Sequence, residues 1–134
     1  MISIQNIDHV VFRVRDIGRV GRFYEEVLGA QFEQFQAHVP LYQLRVGTSL
    51  IDLVPAGDSV VSAPNVEHVC FRVSPWDETA ILTHLAHYGI NAEVASRYGA
   101  DGEGPSIYLN DPEGNRLELK GPATSPPVLV SEPN

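Results

Sequence analysis

The chain has 134 residues, 43% hydrophobic and 19% charged, which is enough for one domain with its own core. Seventeen acidic against nine basic side chains give a net charge of −8, which excludes nucleic acid and anionic membrane surfaces as expected partners. There is one cysteine, no apolar run long enough to span a bilayer and no charged-then-apolar leader, so the expected setting is the reducing cytoplasm.

A single domain, residues 1–134, is expected, built from two modules. Module one covers about residues 5–56. Ile7–Val14 alternates as a strand, and Asp16 is placed to cap a helix. Ile17, Val20, Phe23, Tyr24, Val27 and Leu28 follow helical spacing, and Gly29 sits where a left-handed stop belongs. Strands are predicted at 31–38, 41–46 and 49–54, with Pro40 and Gly47 in the breaks.

Residues 57–65 read as a linker. Module two, 66–120, repeats the order. Its strand is 66–73. Ser74, Pro75 and Asp77 are read as cap, first helical residue and acidic first turn. Ile81, Leu82, Leu85 and Tyr88 form the expected buried stripe, ended by Gly89. Strands are predicted at 91–97, 105–110 and 116–120, the last two joined by the turn Asn110–Asn115. Tyr98–Pro105 is Gly-rich and reads as a mobile loop. Residues 121–134, with four prolines, read as a flexible tail trailing over the surface or a neighbouring chain.

The two modules share a signature. Asp8-His9-Val10-Val11-Phe12-Arg13-Val14 recurs as Glu67-His68-Val69-Cys70-Phe71-Arg72-Val73. A repeat this long suits two fused βαβββ units rather than a solenoid. A duplication kept for stability alone would not require the polar residues to share a face.

They do share one. Alternation puts Val10, Phe12 and Val14 under the helix, and His9, Val11 and Arg13 on the other face. His68, Cys70 and Arg72 follow suit. In the closing strands, Ile51 and Leu53 face the helix while Asp52 faces away; Leu117 and Leu119 face it while Glu118 does not. Each module thus offers one imidazole and one carboxylate on one face. Two of each make an N₂O₂ donor set suited to one divalent metal ion: Zn, Ni, Mn, Fe or Co. His38, His84 and His87 have no counterpart across the repeat and read as surface or helix residues. Asp8 and Glu67 are placed to orient the histidines rather than to coordinate.

Arg13 and Arg72 allow two readings: pairing with the site carboxylates, or two-pronged recognition of an anionic substrate group. Gln43, Arg45, Ser106 and Tyr108 alternate onto the same side, so Arg13, Arg45, Arg72 and Tyr108 are the substrate-binding candidates. Tyr42 is a further cavity candidate. Cys70 lacks a base partner and reads as a cavity-lining thiol rather than a nucleophile. No dinucleotide or P-loop motif is present.

Over nearly all of residues 5–120 the sequence resembles the vicinal oxygen chelate superfamily, the glyoxalase/bleomycin-resistance/dioxygenase fold. The resemblance rests on Ile7-Asp8-His9-Val10, Phe23-Tyr24 with Leu28-Gly29, Glu67-His68-Val69, and the stretch Tyr108–Leu119 containing Asp111-Pro112-Glu113-Gly114-Asn115. It implies an α+β fold in which two tandem βαβββ modules form an eight-stranded, cup-like mixed sheet around a divalent metal, completed in many short members across a homodimer. His9, Asp52, His68 and Glu118 match the four glyoxalase I ligands, except that Asp52 stands where that enzyme has Glu.

The resemblance further implies a metal-dependent lyase or isomerase of the lactoylglutathione-lyase kind. Its metal would stabilise an enediolate and its Glu118 would double as general base. Such an enzyme acts on a small molecule, with a thiol cosubstrate such as glutathione. Fosfomycin-resistance thiol transferases use His, His and Glu alone, matching His9, His68 and Glu118, and Ser106-Ile107-Tyr108 is similar to them as well. Ring-cleaving dioxygenases are a third option, with usually longer chains. Metal-free bleomycin-resistance-like binding proteins lack these ligands, and a metal-bound sensor without turnover completes the alternatives.

Overall fold

A computed structural model describes residues 1, 3, 5–58 and 66–128. The chain divides into two compact units, Met1–Ala63 and Pro64–Asn134. Most of the expected linker, from 59 to 65, lies outside the described residues, as do 129–134 of the expected tail.

Unit one runs β1 (His9–Val14), α1 (Ile17–Glu26), β2 (Gln31–Gln36), β3 (Leu41–Val46) and β4 (Ser49–Pro55). Unit two repeats this as β5 (Val69–Arg72), α2 (Glu78–His87), β6 (Glu93–Gly99), β7 (Gly102–Asn110) and β8 (Arg116–Lys120). The fold is α+β, as a tandem βαβββ chain requires. The eight strands form two sheets of four, ordered β1-β4-β3-β2 and β5-β8-β7-β6. In each, the first strand pairs in parallel with the last and the remaining pairs are antiparallel. No helix among the described residues is long and apolar enough to cross a membrane.

Local chemistry accounts for the elements. The Asp16 side chain accepts from Arg19 N at 3.0 Å, capping α1, and Gly29 ends it at φ 74°. Val20, Phe23 and Tyr24 of the expected stripe are buried, as are Val14, Leu44, Ile51 and Leu53 of the strands. Gly21 lets Tyr42 lie close under the helix, since a Cβ there would fall 2.7 Å from its ring. Tyr42 is therefore a helix-side residue, not the cavity residue expected, and its hydroxyl donates to Glu25 Oε2 at 2.8 Å.

In unit two the cap of α2 is Asp77, not Ser74. Its carboxylate reaches Ala80 N at 3.0 Å, so the helix starts at Glu78. Leu85 is buried as expected, but Tyr88 is exposed at the helix end with its ring against His84 and His87. Ile107, Leu109, Leu117 and Leu119 complete this core. Asp111 builds the β7–β8 turn by accepting from Glu113 N at 2.8 Å and Asn115 N at 3.0 Å.

The Gly-rich stretch 98–105 is not a mobile loop. It is the β6–β7 hairpin, closed by the pair Gly99–Gly102. Its glycines serve close approach rather than flexibility. A Cβ on Gly102 would sit 1.9 Å from Ser125 O, and one on Gly104 would sit 2.6 Å from Pro122 O. Accordingly, residues 121–128 run along their own unit: Gly121 N donates to Pro105 O, Thr124 N to Glu103 O, and Val128 N to the Tyr98 hydroxyl.

Burial, reinforced by Glu25, pushes the Tyr42 hydroxyl up to about 12. A folded-state value raised above the unfolded one stabilises the fold fully below the unfolded value, roughly 10 for a free tyrosine. That contribution fades as pH rises through 12. Urea unfolding of wild type and Tyr42→Phe should therefore differ at neutral pH and converge toward pH 12. A constant difference across that range would contradict the assignment.

Candidate metal centre

In unit two the site is built on the pairing of β8 with its two neighbours. Register sets Glu118 opposite Cys70 on one side and Tyr108 on the other. His68 precedes β5, and its Nε2 lies 3.1 Å from Glu118 Oε1. Its Nδ1 meets Glu67 Oε2 at 2.5 Å. Glu67 is held in turn by Arg116 Nη1 at 2.7 Å, which keeps its carboxyl below the usual range, with His68 assisting. The Arg116 guanidinium lies 4.4 Å over the Tyr108 ring, and that ring stands edge-on to His68 at 5.8 Å. Glu118 is only 6% exposed, and its second oxygen accepts from the Ser106 hydroxyl at 2.6 Å.

This geometry imposes a charge requirement. With its Nδ1 proton on Glu67, a neutral imidazole turns the Nε2 lone pair toward Glu118. In that tautomer the contact is completed by a proton, on the ring or on the carboxyl, or by a metal ion. The donor atoms fit an ion. Ligand atoms about 2.1 Å from a divalent metal, at roughly 90–110° to one another, lie about 3.0–3.4 Å apart. A carboxylate on the far ring nitrogen is also the usual partner of a metal-ligating histidine.

Unit one presents the same half-site in weaker form. His9 Nδ1 meets Asp8 Oδ2 at 2.8 Å. This bond raises the His9 imidazole above its ordinary value, with partial burial opposing and Asp52 adding to the rise. Register pairs Val11 with Asp52, the counterpart of Cys70 with Glu118. Asp52 and Glu118 are thus equivalent by strand pairing, as His9 and His68 are by repeat. Asp52 is 7% exposed, and its Oδ1 accepts from Gln43 Nε2 at 3.1 Å. Among the described residues, no three His, Cys, Asp or Glu side chains gather into a cluster able to hold a metal.

The expected substrate-binding arginines fare differently from one another. Arg45 is engaged by Glu33 at 2.9 and 3.2 Å, and Arg72 by Asp101 at 2.9 Å, so neither pairs with a site carboxylate. Arg13 is exposed on β1. The cations that do flank Tyr108 are Arg116 and Arg97, the latter 5.8 Å from the ring centroid. Arg116 was within reach of sequence reasoning, because it lies two residues before Glu118 and so shares its face. Arg97 had no such marker, since it was assigned to the end of a strand leading into a loop.

Cys70 is exposed on β5. Burial around the sulfur, then the Glu118 charge, push its thiol up to about 11. The thiol is neutral at physiological pH, consistent with a lining residue. Alkylation by iodoacetamide at neutral pH should run about tenfold or more slower than for a free thiol. A rate equal to that of the free thiol would contradict this.

The chain matches the family model described as the Glyoxalase/Bleomycin resistance protein/Dioxygenase superfamily over residues 6–119. No curated protein matches the sequence. Among solved structures, virulence protein STM3117 from Salmonella typhimurium is 32% identical, with a TM-score of 0.74 over 90% of this chain and 98% of that one. A lactoylglutathione lyase from Agrobacterium tumefaciens shares the fold at 19% identity and a TM-score of 0.66, covering 88% of this chain and 94% of that one. The fosfomycin resistance protein FosX from Listeria monocytogenes shares it at 19% and 0.67, covering 92% of this chain and 97% of that one.

Proposed function

The chain belongs to the glyoxalase/bleomycin resistance protein/dioxygenase superfamily, and from that premise we propose that it is a metal-dependent cytoplasmic enzyme acting on a small molecule. The observation that carries the proposal is the His68–Glu118 pair. An imidazole nitrogen and an oxygen of a buried carboxylate converge to 3.1 Å, the spacing of two neighbouring ligand atoms on a divalent ion. His68 and Glu118 would hold a divalent ion, with His9 and Asp52 supplying the other donors from the same chain or from a second copy in a homodimer. When bound, the ion supplies Lewis-acid stabilisation to an oxyanion of the substrate.

The first reaction we assign is isomerisation of the thiol adduct of a 2-oxoaldehyde, with glutathione as the model thiol. The Glu118 carboxylate is the expected base for moving a proton from the hydroxyl-bearing carbon to the neighbouring carbon, while the hydroxyl proton passes to the neighbouring carbonyl oxygen. Ser106 keeps the other carboxylate oxygen occupied. Glu67 fixes the tautomer of His68, and Arg116 fixes Glu67. Arg97 and Arg116, which bracket the Tyr108 ring, would offer positive charge to an anionic group of the substrate.

A second reading, thiol transfer to an epoxide, draws support from Asp52. The Gln43 amide already engages its carboxylate, which suits a three-ligand set of His9, His68 and Glu118.

Purified protein should contain about one divalent ion per site and lose activity to a chelator. Turnover of a hemithioacetal substrate, assayed beside an epoxide with thiol, decides between the reactions. Glu118→Ala should lower kcat by about 10²–10⁴-fold, and both Glu118→Ala and His9→Ala should lower metal content. Wild-type metal content in both variants would overturn the proposal.

A further inference from the structure

Behind Glu118 lies a second cation that the proposed reaction does not use. Lys120 follows two residues later on β8, on the same face, and is only 8% exposed. Its ammonium donates to Gly104 O at 2.9 Å, to Ser106 Oγ at 3.1 Å, and to Arg97 O. Three acceptors engage all three of its hydrogens. Ser106 is fully buried. Its proton is committed to Glu118 Oε2 at 2.6 Å, so its oxygen is free to accept from Lys120. The result is a directed line of hydrogen bonds, Lys120 to Ser106 to Glu118, anchored on the backbone of β6 and β7. Gly99 leaves room for it, since a Cβ there would press to 3.0 Å from Lys120 Cε.

Unit one serves as an internal control. Two residues after Asp52 stands Val54, and two residues before Gln43 stands Leu41. Since Gln43 pairs with Asp52 as Tyr108 pairs with Glu118, these are the counterparts of Lys120 and Ser106. The fold therefore accepts apolar residues at both positions. A buried ammonium carries a desolvation penalty that an apolar side chain avoids, so packing alone does not account for Lys120.

Resting on the metal reading above, we propose that Ser106 and Lys120 are positioning residues that lock Glu118 Oε2 and present Oε1 alone, toward His68, as a one-oxygen ligand. Asp52 has no such lock; its carboxylate is engaged by the Gln43 amide. Within unit two, the Ser106–Lys120 pair would set the affinity and orientation of the ion.

The test is titration of the metal-stripped full chain with Co²⁺, read by calorimetry and by the visible absorption of the bound ion. Ser106→Ala and Lys120→Met should each keep the wild-type stoichiometry, weaken binding by about 10–100-fold and shift the absorption bands. Ser106→Thr, which keeps the hydroxyl, should restore both. Thermal unfolding in chelator shows whether each variant is folded; should Lys120→Met fail to fold, Ser106→Ala and its threonine rescue carry the decision. Wild-type affinity and spectrum in Ser106→Ala would overturn the positioning role and leave the metal reading intact. Absence of Co²⁺ binding by the wild type would overturn the metal reading and this inference with it.

Discussion

Two carboxylates flank the imidazole of His68, Glu67 on Nδ1 and Glu118 on Nε2, and one neutral ring cannot donate to both. A further proton or a metal ion has to complete the contact between Nε2 and Glu118. Much of unit two serves to hold that requirement in place. The parallel pairing of β5 with β8 sets the strand behind His68 against Glu118, and the antiparallel pairing with β7 brings Ser106 and Tyr108 beside it. Arg116 and Lys120 bracket Glu118 along β8 and compensate the carboxylates from two directions. Burial of Glu118 makes the demand strict, because an uncompensated carboxylate away from water is expensive.

The duplication gives both units the same plan. Equivalent strands put an acid-His pair at the head of each unit and a buried carboxylate on the last strand. Beyond that shared plan, the surroundings diverge. Glu118 is held by a serine and a lysine, whereas Asp52 is held by the amide of Gln43.

The sequence carried the plan of the fold well, for physical reasons. Period-two alternation fixed which side of β1, β4, β5 and β8 each residue faces, so His9, Asp52, His68 and Glu118 could be assigned to a common face. The acidic residue before each histidine could be read as its orienting partner, and both bonds form. Glycine misled where its role was steric. Gly102 and Gly104 look like a flexible loop, but they are small so that residues 122–125 can lie against β7. The α2 cap was misplaced because Ser74-Pro75 and Asp77 are both acceptable starts, and only the reach of Asp77 to Ala80 N separates them. Arg45 and Arg72 are taken up by Glu33 and Asp101, partners set by strand pairing and a hairpin turn that no local pattern reveals.

The central proposal is that His68 and Glu118 hold one divalent ion, with His9 as a further ligand. X-ray absorption at the metal edge of the loaded full chain reads this most directly, because imidazole rings leave a distinct multiple-scattering signature beyond the first shell of nitrogen and oxygen. The expected result is two imidazoles per ion in the wild type, and one in either His9→Ala or His68→Ala. A wild-type spectrum with a single imidazole, or one left unchanged by His9→Ala, would contradict the account.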